Sequence, residues 1–295
     1  MTVWTDRRRR FRAVFEGDRC VHPGSVFDPM SARIAQHIGF EVGMLAGSTG
    51  SLTVLGAPDL IVLTLTEFAD QALRINRAAE IPLMVDADHG YGNALSVMRT
   101  VQELETAGVS GMSIEDTELP QPFGEAKQRL LSLDEGVGKM KAAMAAKEDP
   151  SLVIAGRTSA VAIAGLEEGI KRAKAYEASG VDALFMVGVT TRAEVDAISE
   201  ATTLPLILGG ATPELEDKDY LSARRVRIAL QGHQPIMAAQ QAIYDTLKAL
   251  RDGVKPRDLT GLPSKDLMQV ATRSDKYDEW TCLLYTSDAA DERNS

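Results

Sequence analysis

Two apolar segments of the chain end in carboxylate residues, and carboxylates in such positions can hold a metal ion. Residues 82–85 are followed by Asp86 and Asp88, and residues 111–114 are followed by Glu115. Side chains two apart on a strand point the same way, so Asp86 and Asp88 converge. Glu115 lies beside them if the two strands are neighbours. Like charges this close do not all stay ionised without a cation.

Ligands that are all oxygen atoms, with little His or Cys nearby, favour Mg²⁺, with Mn²⁺ as the alternative. The other interpretation is that these acids cap the helices that follow, because Asp is a favoured N-cap. One acid would fit that interpretation. Three aligned acids at successive strand ends, beside the Gly-rich stretch at residues 90–92, favour a metal site.

Three further features could bind an anionic substrate at the same edge. Arg157 ends another apolar segment and suits a carboxylate, although a salt bridge to a neighbouring loop is the simpler interpretation. The predicted loop from Gly47 to Ser51 offers hydroxyl and N–H groups, Ser48 among them, but Gly/Ser clusters are usually plain turns. His233 follows the last apolar segment and could reach this edge, although a lone histidine is more often structural.

A recurring sequence pattern predicts the elements that must position these side chains. It consists of a helix end, a glycine and a buried strand, and it occurs at residues 36–47, 105–116 and 177–188. Gly39, Gly108 and Gly180 suit the left-handed position just past a helix. The apolar runs after them are continuous, as in parallel strands covered on both faces.

Amphipathic helices alternate with these strands. Their apolar positions recur at helical spacing, for example at Phe68, Ala72 and Ile75. Pro82 and Pro205 open two more strands, and segments near 20–26, 152–157 and 225–230 bring the candidates to eight. Strict alternation at that count predicts an α/β fold, a (β/α)8 TIM barrel, with an open doubly wound sheet as the alternative.

The composition indicates a soluble globular protein. The 295 residues are 44% hydrophobic with a net charge of −10, which argues against nucleic-acid and membrane-surface partners. No stretch reaches membrane-spanning length or resembles a signal peptide. Cys20 and Cys282 lie far apart in the sequence, so they suggest neither a disulfide framework nor a zinc site. This fits the reducing environment of the cytoplasm. The arginines at positions 7–10 are interpreted as a solvated helix start rather than an anion site.

The pattern predicts three segments. Residues 1–252 form the catalytic barrel, and residues 253–280 form an extension with a last helix near 264–280. Residues 281–295 are polar and without periodicity, and we interpret them as a non-native or disordered tail.

Several strings together resemble the phosphoenolpyruvate mutase/isocitrate lyase superfamily over about residues 11–280. They are Ser25 to Arg33 (SVFDPMSAR), Ala46-Gly47-Ser48, Ala57-Pro58-Asp59, Asp86 to Gly92 (DADHGYG), Ile114-Glu115-Asp116, Arg157-Thr158 and Gly232-His233. The resemblance implies Mg²⁺-dependent barrels that cleave C–C or P–C bonds of 2-oxo or 2-hydroxy acids. It also implies extra C-terminal helices exchanged within a homotetramer.

The resemblance also implies residue roles. Asp86 and Asp88 would lie at the metal, with Asp59 and Glu115 around it largely through water. Gly47, Ser48, Arg157 and His233 would contact a small 2-oxo dicarboxylate, with Arg157 and His233 acting catalytically. The loop at residues 117–124 has no cysteine, which disfavours isocitrate-type cleavage.

The strings match most closely the branch that decarboxylates oxaloacetate to pyruvate and CO₂ through a metal-stabilised enolate. Three alternatives stay open. They are cleavage of a substituted malate or methylisocitrate-type acid, a phosphonopyruvate-type P–C bond reaction, and a non-catalytic protein that binds small acids.

Overall fold

Eight parallel strands form the frame of the protein, as a computed structural model of residues 3–210 and 212–285 shows. They are β1 (Gly24–Ser25), β2 (Gly43–Leu45), β3 (Leu83–Asp86), β4 (Gly111–Glu115), β5 (Val153–Thr158), β6 (Ala183–Met186), β7 (Leu206–Leu208) and β8 (Val226–Ala229). Each strand pairs in parallel with the next along the chain. An open doubly wound sheet would reverse its strand order, so that alternative is wrong.

The sheet closes on itself through the residues just before β1. Val21 bridges to Ile228 of β8 in parallel, and its N–H donates to the Arg227 carbonyl at 2.9 Å. The order and this closure are those of a (β/α)8 barrel. The expected strand near 20–26 is therefore split into a bridge at Val21 and the short β1.

Unit 1, which spans Met1–Ile236, contains the strands and most of the helices. These helices are α1 (Val3–Glu16), α2 (Pro29–His37), α3 (Gly47–Gly50), α4 (Leu65–Ala78), α5 (Ala94–Thr106), α6 (Leu133–Ala146), α7 (Ala160–Ala164), α8 (Leu166–Ala178), α9 (Arg192–Ala201) and α10 (Lys218–Ala223). A π-helix at Ser51–Leu55 and a 3₁₀ turn at Pro213–Leu215 complete the unit. The predicted stripe on α4 is buried, with Phe68 and Ala72 both 0% exposed.

The helix-glycine-strand pattern is confirmed at all three places. Gly39, Gly108 and Gly180 have φ values of +93°, +84° and +87°, just after α2, α5 and α8. These conformations are strained for residues with a Cβ. The predicted loop from Gly47 to Ser51 is instead the short helix α3 running into the π-helix, because backbone N–H groups of this turn bond inside it.

Helix α1 is packed against the amino ends of the strands. Phe11 is fully buried inside the barrel, and a Cβ on Gly111 would lie 2.2 Å from its ring. Arg7 and Arg8 are buried, so the prediction of a solvated arginine run is wrong for these two and right for the exposed Arg9 and Arg10. The reason is tertiary, because Arg7 donates to the Asn76 carbonyl and Arg8 to the Val109 carbonyl.

Unit 2 spans Met237–Ser295, and the extension predicted at residues 253–280 lies within it. Helix α11 (Gln234–Arg251) begins in unit 1 and continues into unit 2. Among its described side chains, only that of Ile236 is buried. A 3₁₀ turn (Pro256–Asp258), α12 (Lys265–Thr272) and α13 (Ser274–Tyr285) follow.

The single helix expected at 264–280 is two helices, because Arg273 adopts a left-handed conformation with φ +56° between them. The second helix continues to Tyr285, past the predicted start of the tail at residue 281. The rest of that predicted tail, residues 286–295, lies outside the described residues. Within the described part of the chain, no helix is long and apolar enough to cross a membrane.

Candidate active site

The carboxyl ends of the strands surround a cavity of about 320 Å³. Seven of the eight residues singled out from the sequence line it: Ser48, Asp59, Asp86, Asp88, Glu115, Arg157 and His233. The eighth, Gly47, lies directly behind Asp88. The alternative interpretation, that the acids at the ends of β3 and β4 cap the following helices, is wrong, because α5 and α6 begin at the side-chain caps Asn93 and Ser132.

Arg157 at the end of β5 joins the carboxylates of the two preceding strands. Its Nη1 forms a close ion pair with Asp86 and lies 3.5 Å from Glu115 Oε1. Burial disfavours its charge, but Asp86 and Glu115 outweigh this and raise the pKa of Arg157. Its guanidinium also lies over the Phe185 ring, 5.4 Å from the centroid. Arg157 does form a salt bridge, but with carboxylates at strand ends in the cavity rather than with a neighbouring loop, and this holds its guanidinium at the cavity wall.

Hydrogen bonds hold the carboxylates of β3 and β4 in place. Asp86 Oδ1 accepts from Ser113 Oγ at 3.1 Å and from the Asp88 N–H at 3.2 Å. The Thr117 hydroxyl donates to Glu115 Oε2 in a short hydrogen bond. Burial, and then Asp86 among the neighbouring charges, raise the pKa of Glu115 above its ordinary value, although Arg157 opposes this.

Asp88 is the most crowded carboxylate of the site. It is 9% exposed and has a left-handed backbone with φ +47°. Burial raises its pKa well above the ordinary value, and the charges of Asp86, Asp59 and Glu115 add to this. Burial and Asp86 likewise raise the pKa of Asp59. The site thus resists holding all of its carboxylates ionised.

These residues fit a divalent cation. Four carboxylates face one guanidinium, and the space between Asp88 and residue 47 exists because Gly47 has no Cβ. Across the described residues, no three His, Cys, Asp or Glu side chains are grouped closely enough to hold an ion by themselves. Mg²⁺ commonly takes one or two carboxylates and completes its shell with water and substrate. The arrangement fits that kind of site better than an all-protein cage.

His233 faces the cavity from the loop after β8. Its Nδ1 lies 2.9 Å from Ser25 Oγ at the end of β1, which leaves Nε2 for other partners. Burial lowers the pKa of His233 below 6.5, although Asp86 and Asp59 oppose the shift. The imidazole is therefore neutral near neutral pH.

Several residues that shape the site were not assigned a role from the sequence. Ser25, Ser113 and Thr117 orient His233, Asp86 and Glu115. Ser113 and Thr117 each lie two residues from Glu115, so strand alternation could have indicated Ser113. Ser25 is distant in the sequence from His233 and carried no such signal.

An apolar wall also lines the cavity. It is formed by Met44, Phe185, Val187 and Leu230. These are strand residues or their neighbours, and from sequence they are indistinguishable from ordinary barrel core.

A larger cleft of about 640 Å³ lies elsewhere, near the amino ends of the strands. Trp4, Arg8, Glu105 and Asp149 border it, and its charges pair with each other, as Arg8 and Asp149 do at 3.0 Å. Function in such barrels gathers at the carboxyl ends, so we place the active site in the smaller cavity.

Fold and site together define a class: a (β/α)8 barrel whose acidic mouth fits a divalent cation and contains one arginine. Comparison with known proteins narrows this class. The family model described as phosphoenolpyruvate phosphomutase matches residues 11–251, and the chain belongs to this family.

Individual relatives are similar over nearly the whole chain. An oxaloacetate decarboxylase of Rhodopseudomonas palustris (strain BisB18) is 59% identical over 272 residues, covering 92% of this chain and 94% of the relative. Among solved structures, oxaloacetate acetylhydrolase in complex with the product oxalate is 28% identical with a TM-score of 0.82, covering 93% and 96% of the two chains. Phosphonopyruvate hydrolase in complex with oxalate and Mg²⁺ is 28% identical with a TM-score of 0.81, covering 95% and 99%.

Proposed function

We propose that this protein decarboxylates oxaloacetate to pyruvate and CO₂ with Mg²⁺, for which Mn²⁺ can substitute. The observation that carries the proposal is the 59% identity to an oxaloacetate decarboxylase over 92% of the chain. The cavity supports it, because its charges suit a cation and a small carboxylate together.

Asp86 and Asp88 would hold the ion, with Asp59 and Glu115 acting through water. When bound, a divalent cation supplies positive charge that stabilises the negative charge developing on the substrate's 2-oxo oxygen. Arg157 and the Gly47-Ser48 turn would bind the C1 carboxylate and orient it. Because Arg157 is held against Asp86 and Phe185, it is already in place before the substrate arrives.

The C4 carboxylate would lie against the apolar wall that includes Phe185, Val187 and Leu230. Among the described residues that line the cavity, Arg157 is the one permanently charged cation, and it would bind the C1 carboxylate instead. A carboxylate is poorly solvated by such a surface, whereas neutral CO₂ is not. The wall therefore favours breaking the C3–C4 bond.

The electron pair of that bond becomes the C2=C3 double bond, the carbonyl π pair moves to the 2-oxo oxygen, and C4 leaves as CO₂, so that pyruvate enolate remains. A proton delivered to C3 then gives pyruvate. His233 would orient this proton transfer through Nε2, since Nδ1 is held by Ser25. A water molecule is the proton source if the neutral imidazole only positions it.

The test is pyruvate release from oxaloacetate with Mg²⁺ and with EDTA, corrected for decarboxylation by the metal alone. We expect saturable turnover that EDTA abolishes, and loss of turnover in Asp86→Asn and Asp88→Asn with the fold retained. Asp219→Asn, an exposed acid outside the cavity, is the matched control and should behave as the unmodified protein.

A rate of pyruvate release no greater than that with Mg²⁺ and no protein would overturn the proposal. Product analysis would then separate the other chemistries of the class. Cleavage of a substituted malate yields a product other than pyruvate plus CO₂, and a P–C bond reaction consumes a phosphonate.

We also propose that the protein is a cytoplasmic homotetramer whose C-terminal helices pack between subunits. Exposed apolar residues on these helices support this, among them Tyr244, Leu247, Trp280 and Leu284. The mass in solution tests it, with four times 31.8 kDa expected. A monomer at assay concentrations would contradict it.

A further inference from the structure

The segment from the end of β3 into the following loop, residues 86–92, has an unusual backbone. Asp88 and Tyr91 have positive φ values of +47° and +58°, and Gly90 and Gly92 have +73° and +149°. A left-handed conformation costs a residue with a Cβ on the order of 1 kcal/mol. Such a loop persists only where surrounding contacts enforce it. It carries both carboxylates proposed to hold the metal ion.

Three successive carbonyls of this loop each accept a hydrogen bond from a different element. The donors are the Glu115 N–H of β4 to Asp88 O at 2.8 Å, Lys139 Nζ of α6 to His89 O at 2.9 Å, and Thr100 Oγ1 of α5 to Gly90 O at 2.9 Å. The loop is thus fixed from three sides.

Lys139 is the unusual member of this set. Its side chain is fully buried, with 2% of the residue exposed, and burial lowers its pKa below the ordinary value. In the described part of the chain no carboxylate pairs with it within 4 Å, although Glu135 and Glu115 act on it at longer range. An apolar side chain would avoid the cost of burying this charge. The contact that offsets this cost is its hydrogen bond to the His89 carbonyl.

The interaction of Lys139 with the loop accounts for the buried charge. Its ammonium binds the carbonyl directly after Asp88, and its charge acts on Glu115 at longer range. The same contact holds the peptide between His89 and Gly90, and so limits the path of the backbone just after Asp88. The Asp88 side chain lies against Gly47, where a Cβ would be 2.5 Å from both of its oxygens.

We propose that Lys139 is a positioning residue for the metal site: it fixes the left-handed turn at Asp88 through the His89 carbonyl, so that the carboxylates are arranged before a cation binds. This inference rests on the proposed function only in taking the ion to be Mg²⁺.

The test compares Lys139→Met, which removes donor and charge, with Lys139→Gln, which keeps a donor. The probe is Mg²⁺ alone, titrated calorimetrically into the metal-free protein without substrate. We expect Lys139→Met to weaken Mg²⁺ binding roughly 10- to 100-fold, as outer-shell changes do. Lys139→Gln should recover part of this loss. The melting temperature of the metal-free protein should be unchanged or raised in both.

Lys147→Met is the matched control from the end of the same helix. Lys147 is also largely buried, but it pairs with Asp182 at 2.9 Å and donates to the Leu152 carbonyl, far from the loop. This control should lower the melting temperature and leave Mg²⁺ affinity unchanged. The two lysines should therefore have different effects. Substitution of Lys139 should change Mg²⁺ affinity, and substitution of Lys147 should change the melting temperature.

Unchanged Mg²⁺ affinity in Lys139→Met overturns the inference, and so does a loss that accompanies a general fall in the melting temperature of both Lys139 variants. An unmodified protein that binds no Mg²⁺ overturns it as well. The proposed function is judged separately. Mg²⁺ binding that depends on Lys139 in a protein without decarboxylase activity would support the inference and overturn the function.

Discussion

Gly47 and Asp88 lie so close that a Cβ on residue 47 would be 2.5 Å from both carboxylate oxygens of Asp88. Real Cβ atoms do not approach oxygen this closely, so either the carboxylate or the turn at α3 must move if residue 47 is larger. Gly47 has no positive φ, so the requirement for glycine here is steric. Because residue 47 has no side chain, there is space for the Asp88 carboxylate, which is proposed to bind the metal ion.

Gly47→Ala should weaken Mg²⁺ binding and turnover together, because it displaces Asp88. We expect a loss of roughly 10- to 100-fold in Mg²⁺ affinity, measured by calorimetry. Gly138→Ala is the matched control, since a Cβ on that helical residue meets nothing within 4 Å. It should leave activity unchanged and raise stability by about 0.4–1 kcal/mol. Normal Mg²⁺ affinity in Gly47→Ala would contradict this account.

Ser25→Ala should lower kcat, because His233 loses the partner of its Nδ1. Removal of one positioning hydrogen bond of about 1.4 kcal/mol corresponds to about a tenfold loss. The decisive measurement is a double-mutant cycle. In a His233→Ala background, Ser25→Ala should have no further effect on kcat. Independent effects of the two substitutions would mean that Ser25 acts elsewhere.

Much of the site follows from strand periodicity, and the remainder depends on contacts between distant parts of the chain. Asp86, Asp88 and Glu115 end predictable strands, so their convergence could be predicted. Asp59 lies in an irregular segment with no strand before it, and only the resemblance to a family brought it to the site. Lys139 lies among the buried residues of α6, between Gly136 and Met140, and its contact with the His89 carbonyl 50 residues away has no local signal in the sequence.

The arginines of α1 illustrate the same limit. Four charged residues in a row suggest a solvated surface. Burial of Arg7 and Arg8 depends on carbonyls 69 and 101 residues away, at Asn76 and Val109. No local pattern encodes those partners. The division after Ile236 was likewise outside the reach of periodicity, because α11 continues as a helix across it.

Stabilisation of the protein by Mg²⁺ should increase with pH. Burial and neighbouring carboxylates raise the pKa values of Asp59, Asp88 and Glu115. The folded protein therefore binds these protons more tightly than the unfolded chain does. Without metal, their contribution to stability is full below the ordinary carboxyl pKa and is lost as pH rises through the folded values.

The cation binds the ionised carboxylates, so it offsets this loss where the loss is greatest. We expect the shift in melting temperature with Mg²⁺ to be larger at about pH 8 than at about pH 5. The pKa of His233 is lowered in the folded protein, so its contribution to the stability of the protein is lost as pH falls below 6.5. This loss affects samples with and without Mg²⁺ alike. Asp88→Asn should flatten the dependence. A shift that is independent of pH would exclude these carboxylates as the ligands.

Val187→Thr should slow decarboxylation and tighten substrate binding at the same time. The substitution keeps the shape of the side chain and adds a hydroxyl to the apolar wall of the cavity. That hydroxyl would stabilise the C4 carboxylate in the bound substrate and would be of no use to neutral CO₂. One such hydrogen bond of about 1 kcal/mol would lower kcat and KM about fivefold each, leaving kcat/KM nearly unchanged. Val189→Thr introduces the same change at a buried residue outside the cavity lining and should affect stability without this kinetic pattern. A higher KM with unchanged kcat in Val187→Thr would mean that the leaving carboxylate does not face this wall.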